Sequence, residues 1–149
     1  MDDVGRGPIA LDSVSFIYFI EDDPRFVPVL LPLFEAFDSG SATGHTSEIT
    51  LLEVLVMPYR RGDMHLAERY ELLLTRSRGL TMTGLGRTQL RTAAKLRALH
   101  SGLRTPDALQ LATALTAGCS TFVTNDRKLP AIDGLRIIQL STYLRSPRK

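Results

Sequence analysis

Apolar positions along this chain follow two alternating rhythms, short continuous runs and longer stretches with a period near 3.6, the marks of buried strands and amphipathic helices. Residues 8–11 (PIAL) predict a first strand, and residues 13–21 read as a helix with little polar face. A second helix is expected from Asp23-Pro24 to a stop at Ser39-Gly40, with Val27, Leu30, Leu31, Phe34 and Phe37 as its stripe. Pro24, Pro28 and Pro32 recur in it at every fourth residue, and each interior proline removes a helical hydrogen bond. Residues 42–46 are a candidate strand leading into a helix over 49–59. Gly62-Asp63 starts another helix to about Thr75, with Glu68, Arg69 and Glu71 opposite Leu66, Tyr70, Leu73 and Leu74. A strand at 80–83, an amphipathic helix at 88–100 ended by Ser101-Gly102, and a helix at 106–117 follow. A buried strand at 121–124 and a last strand at 135–140, with β-branched Ile137 and Ile138, complete the chain.

Strands that alternate with helices argue for a parallel sheet, because parallel neighbours need crossover connections and helices usually supply them. The expected architecture is a three-layer α/β/α sandwich with about five short strands. It forms one domain over 1–149, with a core at about 8–141 and a short basic tail. With 149 residues, 44% of them apolar, the chain has ample material for one core.

Four carboxylates fall where an apolar stretch gives way to a turn or a new helix: Asp12, Glu53, Asp107 and Asp126. Such junctions invite convergence at the carboxyl ends of parallel strands, where open α/β sheets place their sites. Gathered acids repel one another unless a divalent cation neutralises them, and hard cations take oxygen ligands. Each has a structural alternative. Asp12 can cap the following helix, and Thr50-Leu51-Leu52-Glu53 matches a capping box. Glu53 is nevertheless the only charge between Ile49 and Met57, and an unpaired charge in an apolar segment is costly. Thr105-Pro106 reads as an N-cap and first helical proline, which puts Asp107 in the turn where the macrodipole favours an anion. Asn125-Asp126 reads as a turn.

A net charge of +2 excludes a strongly polybasic protein, although basic residues cluster at Arg60-Arg61, at 76–78, at Arg127-Lys128 and in the tail at Arg145, Arg148 and Lys149. One cysteine, Cys119, excludes an intramolecular disulfide and a cysteine-rich zinc site, which makes the cytoplasm the expected compartment. No signal peptide is expected, and the apolar run at 26–34 falls short of the ~20 residues of a membrane helix. His45, His65 and His100 have no ligand spacing and read as structural or surface residues; Glu48 is a weaker extra candidate near Glu53.

The segments LDSVSFIYFIEDDPRF, TSEITLLEVL and LRTPDALQLATALTAGCSTFVTNDRKL resemble the successive signature blocks of PIN domains, in particular the VapC-type toxins of toxin–antitoxin pairs. The likeness runs from about Ile9 to Leu140, and PDALQLATAL followed by TND is its most specific part. It implies a twisted parallel sheet and an acidic pocket for Mg²⁺ or Mn²⁺ in an enzyme that hydrolyses RNA phosphodiesters. It also implies that Asp12, Glu53, Asp107 and Asp126 are the acidic quartet, with Ser13 and Asn125 orienting these groups or the substrate. Val14 stands where the family commonly has asparagine or serine. Arg104, Arg127 and Lys128, next to the third and fourth acids, are the expected RNA contacts. A small antitoxin partner and a homodimer are implied too.

Two rivals compete with the ribonuclease. A phosphoacceptor response regulator would need a paired carboxylate beside the first strand and a lysine after the last strand's turn, and neither is evident. A PIN-fold RNA- or protein-binding module without catalysis is the closer alternative.

Overall fold

The structure, a computed structural model, describes residues 7–144, so the basic tail residues Arg145, Arg148 and Lys149 lie outside the described residues. Five strands form one sheet: β1 (Ile9–Leu11), β2 (Gly44–Ser47), β3 (Leu80–Thr83), β4 (Thr121–Thr124) and β5 (Arg136–Gln139). Their order is β3-β2-β1-β4-β5 and every adjacent pair is parallel. Side chains alternate across a strand, so β1 sends Ile9 and Leu11 into one core and Ala10 into the other. Val123 joins the first core and Phe122 the second. Because both faces are covered, β4 reads as an uninterrupted buried run rather than an alternating one.

Four helices cover the first face: α1 (Ser13–Ile20), α2 (Val27–Ser39), α3 (Ile49–Arg60) and α4 (Met64–Arg76). They contribute Phe16, Leu30, Phe34, Phe37, Val54 and Tyr70, each buried side chain worth roughly 1.5–3 kcal/mol relative to exposure. Phe34 stacks on Phe19 at 4.2 Å and meets Phe16 and Phe37 edge-on at 5.8 Å. The second face carries α5 (Arg87–Leu99) and α6 (Thr105–Thr116), with Ala93, Leu96, Ala108, Leu111 and Ala112 in the core. The α/β/α sandwich is therefore as expected.

Local departures have local causes. The Asp23 carboxylate accepts the Arg25 backbone N–H at 2.9 Å, which makes a turn of the segment expected to open α2. Pro24 thus falls outside the helix and Pro28 into its first turn, where no helical bond is lost. Only Pro32 is interior, and it is exposed, so the carbonyl it leaves free can be met by solvent. β2 starts later than expected, at Gly44, where an added Cβ would come within 2.7 Å of the Phe37 ring. β5 ends at Gln139 because Leu140 opens a 3-10 turn (Leu140–Tyr143).

The strand order reverses direction at β1. The chain leaves β1 for β2 on one side and returns to it as β4 on the other, which opens a crevice beyond the carboxyl ends of β1 and β4. Asp12 follows the first of these strands and Asn125-Asp126 the second.

Candidate active site

Asp12 is both the residue after β1 and the N-cap of α1. Its Oδ2 accepts the Thr124 hydroxyl at 2.5 Å, a bond that crosses from the end of β4. Its Oδ1 is buried without a hydrogen-bond partner, and the side chain makes no cap bond to α1. Burial pushes this carboxyl up to about 7, helped by the nearby Glu53 charge. The Thr124 hydroxyl opposes the rise, and so, more weakly, do the Ser15 and Val14 amides, which face the carboxyl without reaching hydrogen-bond geometry; together they do not cancel it.

Glu53 projects from the body of α3. The N-cap of that helix is Glu48 and Thr50 is its second residue, so the capping-box alternative for Glu53 does not form. The Thr50 hydroxyl turns inward instead, to Thr46 Oγ1 at 2.7 Å and to the Gln110 amide at 2.8 Å. The same Gln110 nitrogen donates to Glu53 Oε1 at 3.1 Å.

Asp107 lies in the first turn of α6. The N-cap is Arg104, one residue before the expected Thr105, yet Asp107 keeps its place near the positive end of the helix dipole. Asp107 and Asp126 line one cleft of about 180 Å³, with Arg104, Lys128 and Leu129 in its walls. Burial raises the Asp107 carboxyl above the ordinary carboxylate range, the Asp126 charge adds to this, and the Arg104 guanidinium opposes it. Asp126 is held by its own turn: its backbone N–H donates to Thr124 Oγ1 at 3.1 Å and its Oδ1 accepts the Lys128 N–H at 2.9 Å. Thr124 thereby touches both Asp12 and the backbone of Asp126.

The remaining candidates take different places. Asn125 donates to the Tyr18 hydroxyl at 3.2 Å and accepts the Ser141 N–H at 3.0 Å, so both ends of its amide bind protein. Ser13 is the first residue of α1, beside Asp12. Arg104 and Lys128 stay exposed at the cleft, whereas the Arg127 guanidinium donates to Ser141 Oγ at 2.7 Å. Glu48 is exposed and turned to the Leu85 N–H at 3.4 Å. His45 sits on β2, where burial lowers its pKa.

The PIN domain family profile matches residues 9–135. The chain belongs to the PIN domain family. That family consists of nucleases, which generally use divalent metal ions. No curated protein sequence matches the chain. Among solved structures, VapBC2 from Rickettsia felis bound to a DNA fragment from its promoter aligns at TM-score 0.67 and 19% identity, covering 89% of this chain and 98% of that one. A toxin–antitoxin complex from Klebsiella pneumoniae aligns at 0.65 and 22% identity over 85% and 94%. DNA-bound VapBC from Salmonella typhimurium aligns at 0.65 and 21% identity over 89% and 98%. These similarities confirm the fold of the PIN domain.

The acids of this PIN domain stand as two coupled pairs, Asp12 with Glu53 and Asp107 with Asp126. Among the described residues, no three His, Cys, Asp or Glu side chains are grouped as an ion-holding cluster. The donor set nevertheless suits Mg²⁺ or Mn²⁺: its acids offer hard oxygen ligands, and Asp12 Oδ1 is a buried acceptor with nothing to accept from. Thr124, Gln110, Thr50 and Thr46 are the site residues that sequence reasoning missed. The available signal was Gln110, a lone amide inside ALQLA on a helix buried from Ala108 to Ala114.

Proposed function

We propose that this PIN domain is a divalent-metal-dependent endoribonuclease, the toxin of a toxin–antitoxin pair. The observation that carries the reading is Asp12: a buried carboxyl with one unpartnered oxygen, beside Glu53, at the reversal point of a parallel sheet. Buried carboxyls with strongly displaced pKa values in a crevice mark functional sites.

Asp12, Glu53, Asp107 and Asp126 would hold Mg²⁺ or Mn²⁺. Such a cation, when bound, neutralises the carboxylates, acidifies a water and polarises a phosphoryl oxygen. The chain's own part is positional and electrostatic. Asp12 would offer its buried, unpartnered Oδ1 as a ligand oxygen. Thr124 fixes the Asp12 carboxyl and the Asp126 backbone together. Asn125 keeps the end of β4 in register with α1 and the 3-10 turn, and Ser13, the first residue of α1, would orient substrate beside Asp12. Arg104 and Lys128 draw RNA phosphates to the cleft, with Arg127 further out beside Ser141.

The toxin assignment is supported by neighbours that come from toxin–antitoxin complexes and by a fold that covers nearly all of their chains. A small antitoxin, a homodimer and a cytoplasmic location belong to the same reading. No helix among the described residues is long and apolar enough to cross a membrane. A second reading, a PIN-fold RNA- or protein-binding module without catalysis, is favoured by Asp126, whose Oδ1 is already engaged in its own turn by the Lys128 N–H.

Purified protein incubated with structured RNA separates the two. The nuclease cleaves with Mg²⁺ or Mn²⁺, stops in EDTA, and is silenced by Asp12→Asn. Binding without cleavage under every metal condition would leave the module reading.

A further inference from the structure

Gln110 is buried, at 4% exposure, in the middle of the run from Ala108 to Ala114 in which every residue of α6 is buried. A side-chain amide is retained in such a place only when its hydrogen-bonding groups are met. Here the amide nitrogen reaches Thr50 Oγ1 at 2.8 Å and Glu53 Oε1 at 3.1 Å, and Thr50 in turn reaches Thr46 at 2.7 Å. Thr46 ends the series by donating to the Leu11 carbonyl at 2.8 Å.

Counting protons gives this series one sense. The single hydroxyl proton of Thr46 is committed to the Leu11 carbonyl, so the Thr46–Thr50 bond must be donated by Thr50. Thr50 is then left as an acceptor, which requires the NH₂ end of Gln110 to face it. The second proton of that NH₂ goes to Glu53. The amide therefore cannot flip without confronting two acceptors with an oxygen. Flipping is also opposed from the far end, because the series is anchored on the backbone of Leu11, the residue before Asp12.

We propose that Gln110, backed by Thr50 and Thr46, is the positioning residue that sets the Glu53 carboxylate for divalent-cation binding. The proposal rests on the metal-dependent reading of the site and deepens it. Asp12 and Glu53 are tied to one frame: Asp12 by its backbone and by Thr124, Glu53 by the amide. Gln110 engages Oε1 only, and among the described residues no hydrogen bond reaches Glu53 Oε2, which leaves that oxygen for the cation. Gln110 lies three residues after Asp107 on the same helix, so α6 supplies an acid to one pair and the support for the other.

The test is Mn²⁺ titration by calorimetry on the whole chain, with melts in EDTA as the measure of folding. Gln110→Leu removes the donor, and Thr50→Val removes the hydroxyl that fixes the amide; both should weaken Mn²⁺ binding by about 10–100-fold, the range seen when a ligand loses its supporting partner. Thr50→Ser keeps the hydroxyl and should bind Mn²⁺ like the wild type. A purely structural role would lower the EDTA melting temperature of Gln110→Leu and Thr50→Val while leaving their Mn²⁺ affinity at the wild-type value, and that result would overturn the proposal. If Gln110→Leu fails to fold, the Thr50→Val and Thr50→Ser pair decides by the same comparison. Loss of Mn²⁺ binding in Asp12→Asn together with wild-type affinity in both relay variants would overturn the positioning role and leave the metal site standing. No Mn²⁺ binding by the wild type would overturn both.

Discussion

The two acid pairs at the sheet edge are built on opposite plans. Asp12 and Glu53 are held from within: each has one oxygen hydrogen-bonded by a side chain from another element, and burial is what raises the Asp12 carboxyl most. Asp107 and Asp126 face a cleft with two exposed cations in its walls, and Asp126 is kept in place by its own local turn. Charge that is desolvated and pinned suits ligation of a cation, because the ligands move little on binding. Charge beside exposed cations suits the approach of a polyanion, which those cations meet. In the proposed nuclease the difference would divide labour: the inner pair would hold the ion, and the outer pair would complete its shell beside the cations that meet the phosphates.

The largest effect should come from breaking the inner pair. Asp12→Asn should lower RNA cleavage by more than about 100-fold, since a ligand matters more than the groups that support it. Asp126→Asn should cost less. Equal losses in a quantitative cleavage assay would erase the distinction between the pairs.

Next in size is a stability effect with opposite sign. The Asp12 carboxyl rises from 3.8 to about 7 on folding, so between those values the native state holds more protons than the unfolded chain. Its contribution is full below pH 3.8 and is lost as pH rises through 7. In EDTA at pH 8, Asp12→Asn should therefore melt above wild type, by at most about 4 kcal/mol of stability at 1.36 kcal/mol per pH unit. The gap should shrink towards pH 4. A gap independent of pH would mean that burial of this charge is not what costs stability.

Thr124 joins the pairs, and its removal should sharpen the comparison. Thr124→Val leaves Asp12 Oδ2 and the Asp126 N–H without their partner and should destabilise the fold by about 1–3 kcal/mol in denaturant titration. Thr124→Ser should restore it. The smallest effect belongs to the cleft rim. Lys128→Ala should reduce the slope of log affinity against log salt for RNA by about 1. Arg127→Ala should change it less, because that guanidinium is engaged with Ser141. Identical slopes for the two would place the phosphates elsewhere.

Much of this was legible in the sequence. Thr121–Thr124 falls where its apolar run puts it, because four consecutive buried residues between turn signals read as a strand, and Leu80–Thr83, a half-buried edge strand, also falls where expected. The strands that Asp12 and Asp126 follow were legible as apolar runs, and the helices that carry Glu53 and Asp107 by their length and their start signals. Boundaries failed where a side chain captured the backbone, as Asp23 does ahead of α2. The capping box at Thr50 failed because an identical local pattern can turn its hydroxyl to a partner 60 residues away. Thr124 bonds across 112 residues to Asp12. Periodicity reports which face a residue occupies, and says nothing about which polar atom it will meet there.

Ala10, the middle residue of the three-residue strand β1, has a consequence for how this molecule could be altered. It shares the second core with Ala108, Leu111 and Ala112 of α6, the helix that also carries Asp107 and Gln110. Leucine there would add three carbons to a filled core between sheet and helix, an overpacking that costs about 1–3 kcal/mol. The smallness of one apolar residue thus limits how near the sheet and this helix can stand, which makes Ala10 a place where the spacing of the acids could be altered without changing any of their charges.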